Sequence, residues 1–302
     1  MVETFNKASN ADSKVRLPLF LRALFCVILI GSLAACIKPS IDPGPESDPS
    51  GSEAPITDRE PVDLNPVSPA RVGDLLFVEY EAADTGTTWG LETEGLVFSD
   101  GGSIRIVPNT PGEPVRVEVS YSDAVGDDVP SVGFEGGRIR ISTPETLIEN
   151  ASLTCTVYAN IDSVDIGGTV SLDWNCSGRG TISISHSAVD GVALEFPISV
   201  STYNIAANSV SVATDGPSTW MLMGNAVDVS ISADGGAVVF GANLNAENAS
   251  LSVLNGSKVE ISASKTLSAT TDSGGSIGYY GSPEVTSSGQ NISQLSGSMG
   301  KA

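Results

Sequence analysis

"VDVSISADG", residues 227–235, decides how the rest of the chain is read. Val227, Val229 and Ile231 alternate with Asp228, Ser230 and Ser232, the period-two pattern of a strand with one buried and one wet face. Asp234-Gly235 then ends the run with a pair that enters positive φ at little cost. Similar pairs stand at Asp215-Gly216, Asn255-Gly256 and Ser273-Gly274, so that the four turns are separated by 19, 21 and 18 residues. A hairpin meander turns roughly every 8 to 12 residues, whereas one like turn about every 20 describes a repeating coil of short strands. The expected fold is all-β, a parallel β-helix or β-solenoid with coils about 4.8 Å apart, and a β-sandwich is the alternative.

Upstream, "VRVEVSYS" (115–122) puts Val115, Val117, Val119 and Tyr121 on one face. Cys155 keeps strand phase with Leu153 and Val157, and Cys176 with Val170, Leu172 and Trp174. The two cysteines are 21 residues apart, so one coil would stack them within disulfide range, and in an exported chain a Cys155–Cys176 bridge is expected.

Export is read from the N-terminus. Lys14, Arg16 and Arg22 precede "ALFCVILIGSLAAC" (23–36), an apolar run too short to span a bilayer as a helix and ending in small residues. Leu33-Ala34-Ala35-Cys36 resembles the lipobox of bacterial lipoproteins, which implies cleavage before Cys36 and lipid on its thiol. Ile37 in place of an aspartate fits the sorting of such proteins to the outer membrane of a Gram-negative cell, facing the periplasm or the surface. Two or three acyl chains anchor stably where one is marginal.

Residues 37–70 hold eight prolines and only scattered apolar side chains. Such a segment cannot bury enough surface to offset its ordering entropy. The expected layout is a signal peptide at 1–35, lipidated Cys36 with a disordered tether to 74, a β-domain over 75–298 and a tail at 299–302.

Charge and residue counts exclude whole function classes. The formal net charge is −21, and loss of residues 1–35 removes four basic and two acidic side chains, leaving −23. Nucleic acid needs a basic face that releases counterions, so it is not an expected partner. His186 is the only histidine, and "TISISHSA" sets it in phase with Ile182 and Ile184, the placement of a packed or rim residue. No histidine-rich zinc site or catalytic triad away from His186 can be built. Asp123, Asp127 and Asp128, and Asp162 with Asp165, are the carboxylate groups to weigh for Ca²⁺, yet no regular Ca²⁺ loop is present. No catalytic, metal or cofactor residues are therefore expected.

The last part of the chain carries the most specific signal. "NGS" at 255–257 and "GGS" at 274–276 break short strands, and "GGSIGYYGSPEV" (274–285) ends them with Tyr279, Tyr280, Gly281, Ser282, Pro283 and Val285. These residues, with "VEVSYSDAVGDDVPSVGFEGGRIRIS" (117–142) and "SLTCTVYANIDSVDIGGTVSLDW" (152–174), resemble the head GIN domain family of auto-transporter adhesins, over about 75–298 and least at 177–225. The resemblance implies a right-handed, pectin-lyase-like β-helix with no retained active site, a cell-envelope location, a role in adhesion and a possible trimer. The expected function is display of a binding or structural module to a glycan or an envelope protein. The alternatives are a polysaccharide-active enzyme and a purely structural repeat. Trp89, Trp220, Tyr279 and Tyr280 are the aromatics to weigh for ligand contact, although each is read first as a core or end-cap residue.

Overall fold

The computed structural model describes residues 67–296, apart from 73, 84–85, 87, 99–100, 111, 123–124, 127–128, 144–147 and 188–197. The signal segment, Cys36, most of the expected tether and the tail lie outside the described residues. The described chain is all-β, with eighteen strands in one large mixed sheet that does not close.

The chain enters through an antiparallel pair, β1 (Val67–Val72) and β2 (Leu75–Ala82). Ordered structure thus begins before residue 75, inside the stretch expected to be tether. Pro69 falls at the register irregularity between Val67 and Ala70, and β1 pairs only with β2. An edge strand tolerates a residue with no N–H to donate, which is how a proline-rich segment runs into the sheet.

β3 (Trp89–Leu96) and β4 (Gly102–Val107) come next, followed by β5 (Val115–Ser122), antiparallel to β2. β6 (Ser131–Glu135) and β7 (Arg138–Ser142) form a hairpin whose second strand lies parallel to β3. β8 (Leu153–Tyr158) is parallel to β4 and antiparallel to β5. β9 (Ile161–Gly168) then lands parallel on the other side of β3, and β10 (Val170–Asn175) parallel on the other side of β4. β11 (Thr181–Ser187) pairs with β9, and the long β12 (Ile198–Asp215) pairs with β10 by its first part and with β11 by its last. From here β13 (Ser218–Asp234), β14 (Val238–Val253) and β15 (Lys258–Thr271) follow in parallel, and β16 (Ser276–Tyr280), β17 (Glu284–Ser288) and β18 (Ile292–Gln294) finish the stack.

Two parallel rows result. One runs β7, β3, β9, β11, then the last parts of β12 to β15, then β17. The other runs β8, β4, β10, then the first parts of β12 to β15, then β16 and β18. The inward residues of both rows join a single apolar cluster that includes Leu91, Ile106, Trp174, Val212, Ile231 and Leu251. Val115, Val117, Val119 and Tyr121 are all buried, as their spacing predicts.

The four turns stack. Asp215 is level with Asp234, the Asn255 side-chain amide donates to Asp234 Oδ1 at 2.6 Å, and Gly274 lies over Gly256. The irregular spacing upstream has a concrete cause: Ile184 is level with Val212, 28 positions on, whereas Val164 is level with Ile184, only 20 on. The longer sequence interval includes residues 188–197, which are not among those described.

Val227 corrects the opening pattern. It is exposed, while Ala226 and Val229 are both buried with two residues between them. The phase slips at Val227 and Asp228, level with the register shift between Ala246 and Asn248 where each long strand passes from one row to the other; a further shift, between Thr202 and Ile205, lies beside Gly224. Gly224 makes one bend possible: its φ is +137°, and a Cβ there would stand 2.2 Å from the Ile205 carbonyl oxygen. Gly224→Ala is therefore expected to destabilise the chain by about 1–3 kcal/mol, read as a fall of several degrees in thermal midpoint. An unchanged midpoint would mean the bend is not this tight.

Candidate functional site

The bends of successive strands line up into a groove of about 640 Å³ along the stack. Its floor is a column of small residues in register, Ala207, Ala226, Ala246 and Ala263, ended by Gly281. Beside it runs a second column, Ala206, Asn225, Asn245 and Ser262, with Tyr280 level with Ser262. The far wall carries Asn208, Val227, Glu247, Ser264 and Ser282.

Bending forces the small floor, since the inward turn brings neighbouring backbones close. At Gly281, where φ is +93°, a Cβ would lie 2.1 Å from the Ala263 carbonyl oxygen. Asn245 Nδ2 donates to Asn225 Oδ1 at 3.1 Å, tying two strands along the groove. The lining is uncharged except for Glu247, which Lys265 Nζ engages directly. Amide and hydroxyl groups both donate and accept, so this surface suits a ligand rich in hydroxyls or amides.

These asparagines are absent from the residues singled out by sequence reasoning. The signal was present in the triplets Ala206-Ala207-Asn208, Asn225-Ala226-Val227, Asn245-Ala246-Glu247 and Ser262-Ala263-Ser264, which recur once per coil. It is masked because alternation breaks at each of them.

The four aromatics separate. Trp220 is fully buried, with its indole N–H donating to Ser218 Oγ at 2.9 Å, and Trp89 is buried edge-on against Phe134 at 5.8 Å between ring centres. Both are core residues, the reading preferred for them from sequence, and neither is exposed to a ligand. Tyr279 is level with Ile261, half-buried, and packs on the core, while Leu295 closes over Gly278. Tyr280 instead stands at the end of the Asn225–Asn245–Ser262 column.

His186 is buried, with Nδ1 3.3 Å from Thr214 Oγ1 and with Nε2 lacking a hydrogen-bond partner. Thr214 continues through Ser218 at 2.8 Å to Trp220, forming a buried polar chain. Burial holds the His186 pKa below its usual value, against the opposing pull of Asp215 and Asp165. The Asp162 and Asp165 carboxylates accept hydrogen bonds from Thr88 and Ser185 at 2.7 and 2.9 Å. Asp123, Asp127 and Asp128 lie outside the described residues, among which no cluster of three or more metal-binding side chains occurs.

The expected disulfide is not formed: Cys155 and Cys176 are free and buried. The 21-residue spacing misleads because β4, from far earlier in the chain, lies between β8 and β10. Cys155 is level with Ile104 and Leu172, whereas Cys176 lies beyond the end of β10. Two strand spacings alone are about 9.6 Å, past the roughly 7 Å Cα limit for a bridge. Burial pushes the Cys176 thiol up to about 12 and raises that of Cys155 as well, so neither is a reactive thiolate.

Fold and groove together define an all-β stacked module with a surface channel whose one charged lining residue is Glu247. The family described as "Putative auto-transporter adhesin, head GIN domain" matches residues 110–283, and the chain belongs to that family. The match includes Tyr279 to Pro283 of the closing motif and stops short of the wider 75–298 range expected from sequence. Among solved structures, a "putative adhesin" from Bacteroides fragilis aligns at TM-score 0.59 and 15% identity, over 74% of this chain and 97% of that one. A "Putative lipid binding protein" from Parabacteroides distasonis aligns at 0.52 and 13%, over 74% and 98%, and a "putative adhesin" from the same species at 0.52 and 15%, over 74% and 95%. At these identities the likeness is one of fold. Among curated proteins none matches the chain.

Two outcomes follow from the buried groups. Because the pKa of His186 is lower folded than unfolded, the unfolded chain takes up the proton first as pH falls below about 6.5, and this contribution to stability is lost there. A His186→Gln chain should show a flatter denaturation midpoint between pH 7 and 5, and an identical slope would remove His186 as the cause. Maleimide should label Cys155 and Cys176 only after unfolding, with no change of native mobility on reduction.

Proposed function

We propose that this chain is a lipid-anchored, non-catalytic binding module of the bacterial cell envelope, a right-handed, pectin-lyase-like β-helix displayed on a proline-rich tether. Membership of an adhesin family supports the adhesive role, and the parallel pairing of strands about one coil apart supports the helix. The observation that carries the reading is the groove itself. It crosses successive strands, is open to solvent along its length, and has Glu247 as its single ionisable lining residue, already engaged by Lys265. A hydrolase or lyase needs an acid or base free to move a proton at the substrate, and this surface offers contact without one.

In this reading acylated Cys36 holds the protein to the outer membrane, the segment beyond it spaces the β-domain from the lipid, and the domain meets a glycan or an envelope protein. A chain of net charge −21 gains nothing from anionic lipid headgroups, so acyl chains would supply the membrane attachment.

Cells expressing the full chain should incorporate radiolabelled palmitate into it, and Cys36→Ser should abolish the label and release the protein from the membrane fraction. Label that survives the substitution overturns the anchor. Adherence of the same cells to immobilised glycans, lost on deletion of the chain, tests the binding role.

A further inference from the structure

We propose that the corner groove takes an extended, uncharged glycan whose chain axis runs along the stack of strands. This rests on the binding-module reading and adds its site and ligand class. Residues from five successive levels line the groove, from Asn208 to Ser282, spanning about 19 Å at the spacing of paired strands. Hydrogen-bonding side chains therefore recur about every 4.8 Å, close to the advance of one sugar ring in an extended chain.

The chemistry of the walls selects the ligand. Asn225 and Asn245 on one side, and Asn208, Ser264 and Ser282 on the other, offer both donors and acceptors to hydroxyl groups. The floor alanines are small and buried, so the groove is lined at its base by closely packed strands and the contacts fall to its walls. Tyr280, level with Ser262, adds a ring on which a terminal sugar can stack.

Competing ligands fit worse. An extended peptide gains affinity by adding to a free sheet edge, but β13, β14 and β15 are each paired on both sides. The groove has no deep apolar pocket for a peptide side chain, Val227 being its one exposed branched apolar residue. A uronate polymer would meet Glu247 and the field of a strongly acidic chain.

The test is titration calorimetry on the full chain in detergent. The probes are neutral hexasaccharides, including cellohexaose, mannohexaose and xylohexaose, with hexagalacturonate and a Ser/Asn-rich decapeptide as comparators. At least one neutral hexasaccharide should bind, with hexagalacturonate about tenfold weaker or absent and the decapeptide silent. Val227→Trp, which fills the groove from an exposed position, and Asn245→Ala should each weaken that binding about tenfold, and Tyr280→Ala several-fold. The thermal midpoint of Val227→Trp should stay at the parent value, separating obstruction from misfolding. Failure of every neutral hexasaccharide to bind, tighter binding of hexagalacturonate or the peptide, or binding indifferent to both Val227→Trp and Asn245→Ala overturns the proposal. Whole-cell adherence measured in parallel keeps the two readings apart: adherence that persists in Val227→Trp leaves the module intact and removes the groove, whereas adherence indifferent to deletion of the chain removes the module.

Discussion

Parallel pairing of like levels is the constraint on which the rest of this molecule depends. When each strand lies parallel on the one before it, a paired residue has a counterpart above and below at about 4.8 Å, so composition must work in columns as well as along the chain. The column Val212, Ile231, Leu251, Ala269 is apolar throughout and buried. In the outward column Asp228, Asn248, Thr266 a carboxylate is followed by an amide and a hydroxyl. Asn248 donates to Asp228 and accepts from Thr266, both at 2.9 Å, so an amide stands where a second carboxylate would repel the first.

The same constraint makes the two ends different problems. At the start, β1, β2, β5 and β6 turn antiparallel and cover the first parallel strands. At the finish the columns are thinned: Ala269 is followed at its level by Ser287, and every residue of β17 is exposed. Tyr279 and Leu295 supply the large side chains over the last apolar layer. A stack with a capped start and a polar, tapering end is protected against adding further strands by edge pairing.

Much of this was legible because columns leave a period in the sequence. The turns at Asp215, Asp234, Asn255 and Ser273 gave the coil length, and alternation gave the buried face of β5 and of the later part of β13. What misled were features with no local signature. Nothing near Cys155 or Cys176 announces that β4 is inserted between their strands, because the contact joins segments roughly 50 to 70 positions apart. Val227 misled for the opposite reason: a bend of the strand cancels the strict period on which the reading of its face relied. Pro69, read as a mark of disorder, sits on an edge where its missing N–H does no harm.

The groove was illegible from alternation for the reason that it exists. Where a strand crosses from one row to the other, inward packing demands small residues, and the alanine column follows from backbone approach rather than from any ligand. Packing, however, does not dictate the flanks. Exposed positions at a corner tolerate lysine or glutamate as readily as asparagine, and this chain carries 51 charged residues in 302. Yet Asn208, Asn225, Asn245, Ser264 and Ser282 keep the exposed walls neutral across successive strands, and the one carboxylate beside them is engaged by a lysine. The Asn245–Asn225 bond and the hydrogen bond from Ser264 to the Ala246 carbonyl tie neighbouring strands, so the neutral wall serves the stack as well as the proposed ligand.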